Sequence, residues 1–383
     1  MALPKILTSR WGPVITGLAV GILGPILVWK GNPGNMGVCV ACFSRDIAGA
    51  LGLHRAPLVQ YIRPEIIGFV IGSLAAALFF REFRPRTGSA PLVRFLLGAL
   101  AAFGALVFLG CPWRALLRLG GGDWNAMAGI GGLVGGIILG IILLKMGYSL
   151  GRSHPAPRAL GWVLPALMAG LLALLILAPQ CGRDAQGAAT GPVFFSDKGP
   201  GSLHAPLWLA LGAGLCIGWL AQRSRFCTVG AFRNLVLARD PQLFLGLAAL
   251  VATATVTNLI LGQFKAGFEG QPIAHTDTLW NAGGMVLAGL AFTLGGGCPG
   301  RQLFLAGEGD GDAAVFSVGL LVGAGLAHNF NIASSPTGPS PYGPAVVVAG
   351  IIICVVIGIS FWEPKTAGAA ASASQGPAGG STQ

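Results

Sequence analysis

The chain has 383 residues, 54% of them hydrophobic and only 10% charged, with a mean hydropathy of +0.73. Soluble domains carry about 25% charged residues, so the composition excludes a soluble globular protein and describes a membrane protein. The excess of 24 Lys and Arg over 13 Asp and Glu does not make a nucleic-acid surface, because the charges lie scattered between apolar runs and form no stripe.

Crossing about 30 Å of hydrocarbon takes about 17 to 25 apolar residues. In chain order, ten runs reach or approach that length: 13–29, 64–80, 94–112, 124–144, 159–179, 205–221, 242–262, 279–297, 313–328 and 344–362. The first ends in Trp29-Lys30 without a small-residue cleavage site, so it reads as a retained span and not as an export signal. Four shorter, more polar stretches marked by Gly and Pro begin near Cys39, Cys111, Cys227 and Cys298. They read as half-helices. The Ala/Gly/Ser-rich end of the chain predicts a disordered tail.

The chain is duplicated. Residues 110–136 align without gaps on 297–323 with 12 identities in 27 positions, against about three expected by chance in such a composition. Cys111-Pro-Trp-Arg114 returns as Cys298-Pro-Gly-Arg301, and Asp123 returns as Asp310. An earlier element repeats too, with Cys39, Arg45 and Asp46 opposite Cys227, Arg233 and Asn234. Five spans per copy is an odd number, which inverts the second copy in the membrane. A cytoplasmic amino terminus puts 15 of the 24 basic residues on inner segments, in line with the positive-inside bias. The expected architecture is therefore an all-α polytopic membrane protein, about ten spans in two inverted repeats of five. Its four Cys-bearing half-helices meet at an hourglass waist, and both termini are cytoplasmic. Residues 1–180 form the first membrane repeat, 181–202 an extracytoplasmic linker, 203–362 the second repeat and 363–383 a cytoplasmic tail.

The chemistry this pattern suggests is that of thiols and anions. In Gly295-Gly296-Gly297-Cys298-Pro299, the glycines permit close backbone approach and Pro suits the first position of a helix. A helix starting beside a cysteine offers unpaired N–H groups and a positive dipole end to an anion. Arg114 and Arg301 follow one turn later and can supply forked donors. Asp123 and Asp310 are placed to cap the next span or to pair with those arginines. Arg45 reads as part of an outer vestibule, and Arg233 either faces the inner one or is an ordinary positive-inside residue. Cys216 and Cys354 lie inside smooth apolar runs and read as packing. Cys181 falls in the linker, free or oxidised. Cys39-Val-Ala-Cys42 has the spacing of a redox dithiol or half a zinc site, but no second such pair and no histidine cluster accompanies it. A resolving thiol is the stronger reading of Cys42. His328 and Asn329, at a span end, read as hydrogen-bonding within the fold. No Walker A, G-x-S-x-G or HExxH sequence is present, so nothing supports nucleotide hydrolysis or hydrolase chemistry, and no cofactor or metal is implied.

The paired Gly-Cys-Pro-x-Arg elements, with Arg225-Phe-Cys-Thr-Val-Gly-Ala-Phe-Arg233 and Gly295-Gly-Gly-Cys-Pro-Gly-Arg-Gln-Leu303, resemble the YeeE/YedE family of bacterial inner-membrane sulfur-compound transporters over residues 10–362. Gly307-Glu-Gly-Asp310 is closer to the selenium-associated YedE branch. The resemblance implies a multi-pass inner-membrane permease, not an enzyme, for thiosulfate or a related sulfur or selenium anion. It also implies that Cys39, Cys111 and Cys298, with Cys227 as symmetric fourth, contact the ligand in turn. Arg45, Arg114, Arg233 and Arg301 complete the expected substrate-binding set. The partners implied are the anion, the lipid bilayer and a cytoplasmic protein that accepts sulfur or selenium. The competing reading is a membrane thiol carrier that relays sulfane sulfur or selenium covalently, and a third is a structural subunit of a larger complex.

Overall fold

The computed structural model describes residues 6–177 and 192–362. Cys181, part of the expected linker and the carboxy-terminal tail lie outside the described residues. Ten long helices coincide with the ten apolar runs: α1 (Gly12–Trp29), α3 (Pro64–Phe79), α4 (Pro91–Val107), α6 (Asn125–Met146), α7 (Arg158–Leu177), α8 (Leu207–Ser224), α10 (Gln242–Ile260), α11 (Thr278–Leu294), α13 (Gly311–Asn329) and α14 (Gly343–Ser360). The four short helices are α2 (Val40–Ala50), α5 (Pro112–Gly120), α9 (Thr228–Ala238) and α12 (Pro299–Gly307). Eight helical segments are individually long and apolar enough to cross a bilayer. The protein is an all-helical polytopic membrane protein. Among the described residues, one small sheet pairs β1 (Arg86–Thr87) antiparallel with β2 (His154–Pro155) and ties two loops together.

Water does not drive helix association inside a bilayer, so close packing must do so, and small residues allow it. The tightest pairs are α6 with α11, α3 with α8, α4 with α13 and α1 with α10. Every one of them joins a helix of the first half to one of the second. The chain is thus two interleaved halves, and neither half holds its own core. Gly136 shows how tight the seam is: a Cβ there would stand 2.1 Å from the Val286 carbonyl oxygen, and one at Gly17 would stand 1.9 Å from that of Gly246.

Helix directions follow from the same contacts. Gly132 faces Ala282 and Gly136 faces Val286, so α6 and α11 run parallel. By contrast, Gly343 meets Val107 while Gly350 meets Leu100, so α14 runs against α4; Gly283 meets Val347 and Gly350 meets Leu287, so α14 runs with α11. Helices α4 and α11, which are counterparts in the duplicated sequence, therefore run in opposite directions. Counterparts α1 and α8 do likewise, with Gly12 packed on Ser224 and the Thr16 hydroxyl bonded to the Leu220 carbonyl at 3.3 Å. The loops gather on two faces. One carries Arg45, Arg63 and the ends of α1 and α10; the other carries Glu82, Arg225 and Glu308.

The seam predicts a sharp positional contrast. Gly136→Val should lower the melting temperature in detergent, by the equivalent of roughly 1–3 kcal/mol for overpacking. Gly131→Val, where nothing lies within 4 Å, should leave it unchanged. Fluorescence-detected size-exclusion thermostability would check both.

Candidate functional site

All four motif cysteines occupy the position that opens a short helix: Cys39 before α2, Cys111 before α5, Cys227 before α9 and Cys298 before α12. Each has extended backbone there, and three use the thiol as the cap. Sγ of Cys39 accepts from the Cys42 N–H at 3.3 Å, that of Cys227 from the Gly230 N–H at 3.2 Å, and that of Cys298 from the Arg301 N–H at 3.4 Å. Pro112 and Pro299 fill the first helical position in the other element of each half, where a missing N–H costs nothing.

The cysteines gather into two clusters. The thiol of Cys39 lies within hydrogen-bonding reach of those of Cys42 and Cys111, and Arg114 joins them, its Nη1 3.2 Å from Cys42 Sγ. Thiols of Cys227 and Cys298 form the second cluster, with the Cys298 N–H 3.5 Å from Cys227 Sγ and Arg301 one turn along α12. Every thiol is buried, none more than 7% exposed. Half-helices from opposite halves also touch, α2 with α12 and α5 with α9. Four aromatic rings pack together beside these elements: Trp113 sits 5.8 Å from Phe69, 5.6 Å from Phe226 and 5.8 Å from Phe304, centroid to centroid.

The arginines behave unequally. Arg114 donates to the carbonyls of Asn35 at 2.9 Å, Ile273 at 3.0 Å and Leu109, and has no carboxylate partner among the described residues, which leave its charge uncompensated beside the first cluster. Arg45 is instead locked to Asp46 at 2.7 Å, and Arg63 holds the other carboxylate oxygen of Asp46 at 2.7 Å. Arg301 reaches Glu308 at 3.4 Å. Half-buried Arg233 makes no hydrogen bond or ion pair with the described residues. The structure therefore brings Cys39, Cys111 and Arg114 together, and Cys227, Cys298 and Arg301 together, and leaves Arg45 neutralised and Arg233 apart. Asp310 caps α13 through the Ala313 N–H at 3.0 Å, and Asp123 accepts the Asn125 N–H at 3.0 Å, as expected of them. Their ion pairs go elsewhere: Asp123 to Arg118 at 2.6 Å and Asp310 to Arg86 at 2.6 Å. Asn329 hydrogen-bonds the Leu53 carbonyl at 2.8 Å, and His328 stacks near His54 with ring centroids 4.7 Å apart. Cys216 is exposed and Cys354 buried, each on a long helix outside both clusters. No group of three metal-ligating side chains occurs among the described residues.

Sequence reasoning missed the residues that brace the clusters. Arg63 and Arg118 are fully buried ion-pair partners, and the only hint of this was arginine inside otherwise apolar or helical stretches. On the other face, Arg225 bridges Glu82 at 3.1 Å and Glu308 at 2.7 Å, and Arg223 holds Glu82 at 2.7 Å. Partial burial pushes the Glu82 carboxyl up, but hydrogen bonds from Gln222 and Arg223 and the charge of Arg225 outweigh it, and the net shift is downward.

A family model described as Sulphur transport matches residues 2–113 and 223–373, well over half the chain. The protein belongs to the YeeE/YedE sulphur transport family. Each matched stretch contains two of the four helix-opening cysteines. The chain is also similar to the thiosulfate transporter TsuA of Escherichia coli strain K12, 28% identical over 96 residues, which is 25% of this chain and 27% of that protein. The similarity thus spans about a quarter of that relative.

Two outcomes follow from the ion pairs. Asp123→Ala leaves Arg118 buried and unpaired, so it should destabilise the protein by about 3–5 kcal/mol, read as a lowered denaturation midpoint in detergent. A carboxyl held below its ordinary 4.5 lends stability that is complete above that value and lost as pH falls through the folded value. The network on the Glu82 face should therefore loosen below about pH 4.5, and Glu82→Gln should flatten that part of the pH–stability curve.

Proposed function

We propose that this protein is a bacterial inner-membrane permease that carries thiosulfate, or a sulfur or selenium anion of similar size and softness, into the cytoplasm. On this reading it is two inverted copies about a common waist. The antiparallel course of α1 against α8 and of α4 against α11, together with the excess of basic residues on the Glu82 face, supports that arrangement and cytoplasmic termini. The observation that carries the function is the placement of the thiols at the starts of half-helices. Four positive helix ends converge on the same buried region, and irregular backbone is tolerated at bilayer depth where protein buries it.

The anion approaches from the Arg45 face toward the uncompensated charge of Arg114. Its terminal sulfur then passes among the thiols of Cys39 and Cys111, which offer weak S–H donors, and on to Cys227 and Cys298 beside Arg301. Several weak contacts in series suit conduction, because a tight single site would retain its ligand. Selenium species share the needed size and polarisability and fall within the same substrate class. A cytoplasmic acceptor protein would complete uptake on the Glu82 face.

The thiol of Cys39, within reach of both Cys42 and Cys111, favours a second reading, a covalent relay. A thiolate would attack the outer sulfur of thiosulfate, forming a Cys–S–S⁻ persulfide and releasing sulfite as the S–S bond to the sulfonate breaks. Mass spectrometry after substrate exposure separates the two. A persulfide on Cys111 or Cys298 formed at the turnover rate favours the relay, and unmodified thiols during steady uptake favour the permease.

In proteoliposomes loaded with radiolabelled thiosulfate outside, Cys39→Ala, Cys111→Ala and Cys298→Ala should each cut uptake at least about tenfold, the scale of one lost hydrogen bond to a charged group. Cys216→Ala and Cys354→Ala should transport like the unmodified protein. Equal behaviour of the two sets would defeat the thiol pathway.

A further inference from the structure

The repeated motif Cys-Pro-x-Arg differs between its copies at one position, Trp113 in the first and Gly300 in the second. Those two positions touch. Cζ2 and Cε2 of Trp113 lie 3.4 and 3.5 Å from where a Cβ on Gly300 would stand. Residues related by a two-fold axis meet one another only at the axis, so this contact marks the centre of the waist. Two tryptophans cannot share that space, and a glycine opposite the ring is the way one indole fits.

The indole is 1% exposed and is walled by Phe69, Phe226 and Phe304. It also sits between the clusters by covalent connection: Trp113 lies between Cys111 and Arg114, Phe226 adjoins Cys227, and Gly300 follows Cys298 by two residues. Its Nε1–H, bonded to the Cε2 atom that faces Gly300, has no hydrogen-bond partner. A buried donor left unpaired is costly, and each such case calls for a reason.

We propose that Trp113 is the gate and the specificity-determining residue of the anion route. Its ring closes the waist between the two thiol clusters, and its Nε1–H donates a hydrogen bond to the anion as that anion crosses from Cys39 and Cys111 to Cys227 and Cys298. This rests on the permease reading above. An indole nitrogen donates and does not accept, which suits an anion. The phenylalanine walls offer nothing in exchange for water, so a strongly hydrated oxyanion such as sulfate is disfavoured. An ion with a soft, weakly hydrated sulfur or selenium end passes instead.

Two measurements test the gate separately from transport. A membrane-impermeant methanethiosulfonate reagent is applied from the Arg45 face of oriented proteoliposomes, and adducts on Cys227 and Cys298 are located by mass spectrometry. The unmodified protein and Trp113→Phe should be protected, and Trp113→Leu should label at least tenfold faster; a Leu variant labelling at the unmodified rate would overturn the gate. In radiolabelled uptake, Trp113→Phe keeps a ring and guards against loss of fold. It should transport thiosulfate at least tenfold more slowly, the fold-change of one lost charge-assisted hydrogen bond, while Trp113→Leu should admit labelled sulfate. Uptake by Trp113→Phe within twofold of the unmodified protein would overturn the donor role. Unmodified protein that moves no thiosulfate would instead defeat the permease reading, and the donor role with it, an outcome the labelling experiment distinguishes from a failed gate.

Discussion

Inside a bilayer, a helix that begins at depth exposes backbone N–H groups that no water can satisfy, and most of this architecture answers that constraint. Four short helices begin there. A soluble protein would cap them with Ser, Thr, Asp or Asn, and this chain does so elsewhere, with Asp277 capping α11 and Asp310 capping α13. At the four buried starts it places cysteine. Sulfur is a weak acceptor, so the cap is a poor one by the standard of an aspartate, but a carboxylate at those points would repel an anion on the proposed route. Cysteine leaves the ends electropositive and keeps a polarisable contact at each of them.

The interleaving of the halves follows from the same requirement. Neither half alone encloses its helix starts, since α2 packs mainly on α13 and α5 on α10, both from the other half, with α12 and α9 touching them as well. Eight of the ten long helices therefore pair most closely with one from the other half, at seams such as Gly17 on Gly246 that leave no room for a side chain, while α7 and α14 pack mainly on α3 and α11 of their own halves. Buried arginines are fixed in the surrounding scaffold. The pairs Arg63–Asp46 and Arg118–Asp123 are fully enclosed, and such pairs are expensive to form and more expensive to break. They serve better as rigid supports for α2 and α5 than as a source of net stability.

Much of this was legible in the residues. Ten apolar runs became ten long helices because length and hydropathy alone decide what can cross hydrocarbon, and Pro after Cys111 and Cys298, with Gly near Cys39 and Cys227, marked the helix starts. The capping role of Asp310 was readable from position, as was the place of Asp123 just ahead of α6, where it accepts the Asn125 N–H. Their ion-pair partners were not: Arg86 lies 224 residues from Asp310, and only the interleaved packing brings them together. Arg45 was read as a free attractant for the same reason. Asp46 adjoins Arg45, but nothing in a linear sequence says that Arg63, 17 residues from Asp46, will share that carboxylate with it, or that Arg114, three residues past its cysteine, will find no carboxylate among the described residues.

Symmetry is informative here chiefly where it fails. A perfect two-fold waist would present the same side chain twice at its axis, and any large residue there would collide with its own copy. Breaking the repeat at one position solves the packing problem and also makes the two sides of the waist inequivalent. The first cluster has a third thiol, Cys42, opposite Gly230, and a bare arginine, whereas the second has Arg301 drawn toward Glu308. On the proposed route an anion would meet a more positive, more thiol-rich side first and a partly compensated side second. That gradient of charge is built from substitutions at matched positions of one duplicated element, and it would give the proposed two-fold arrangement a direction.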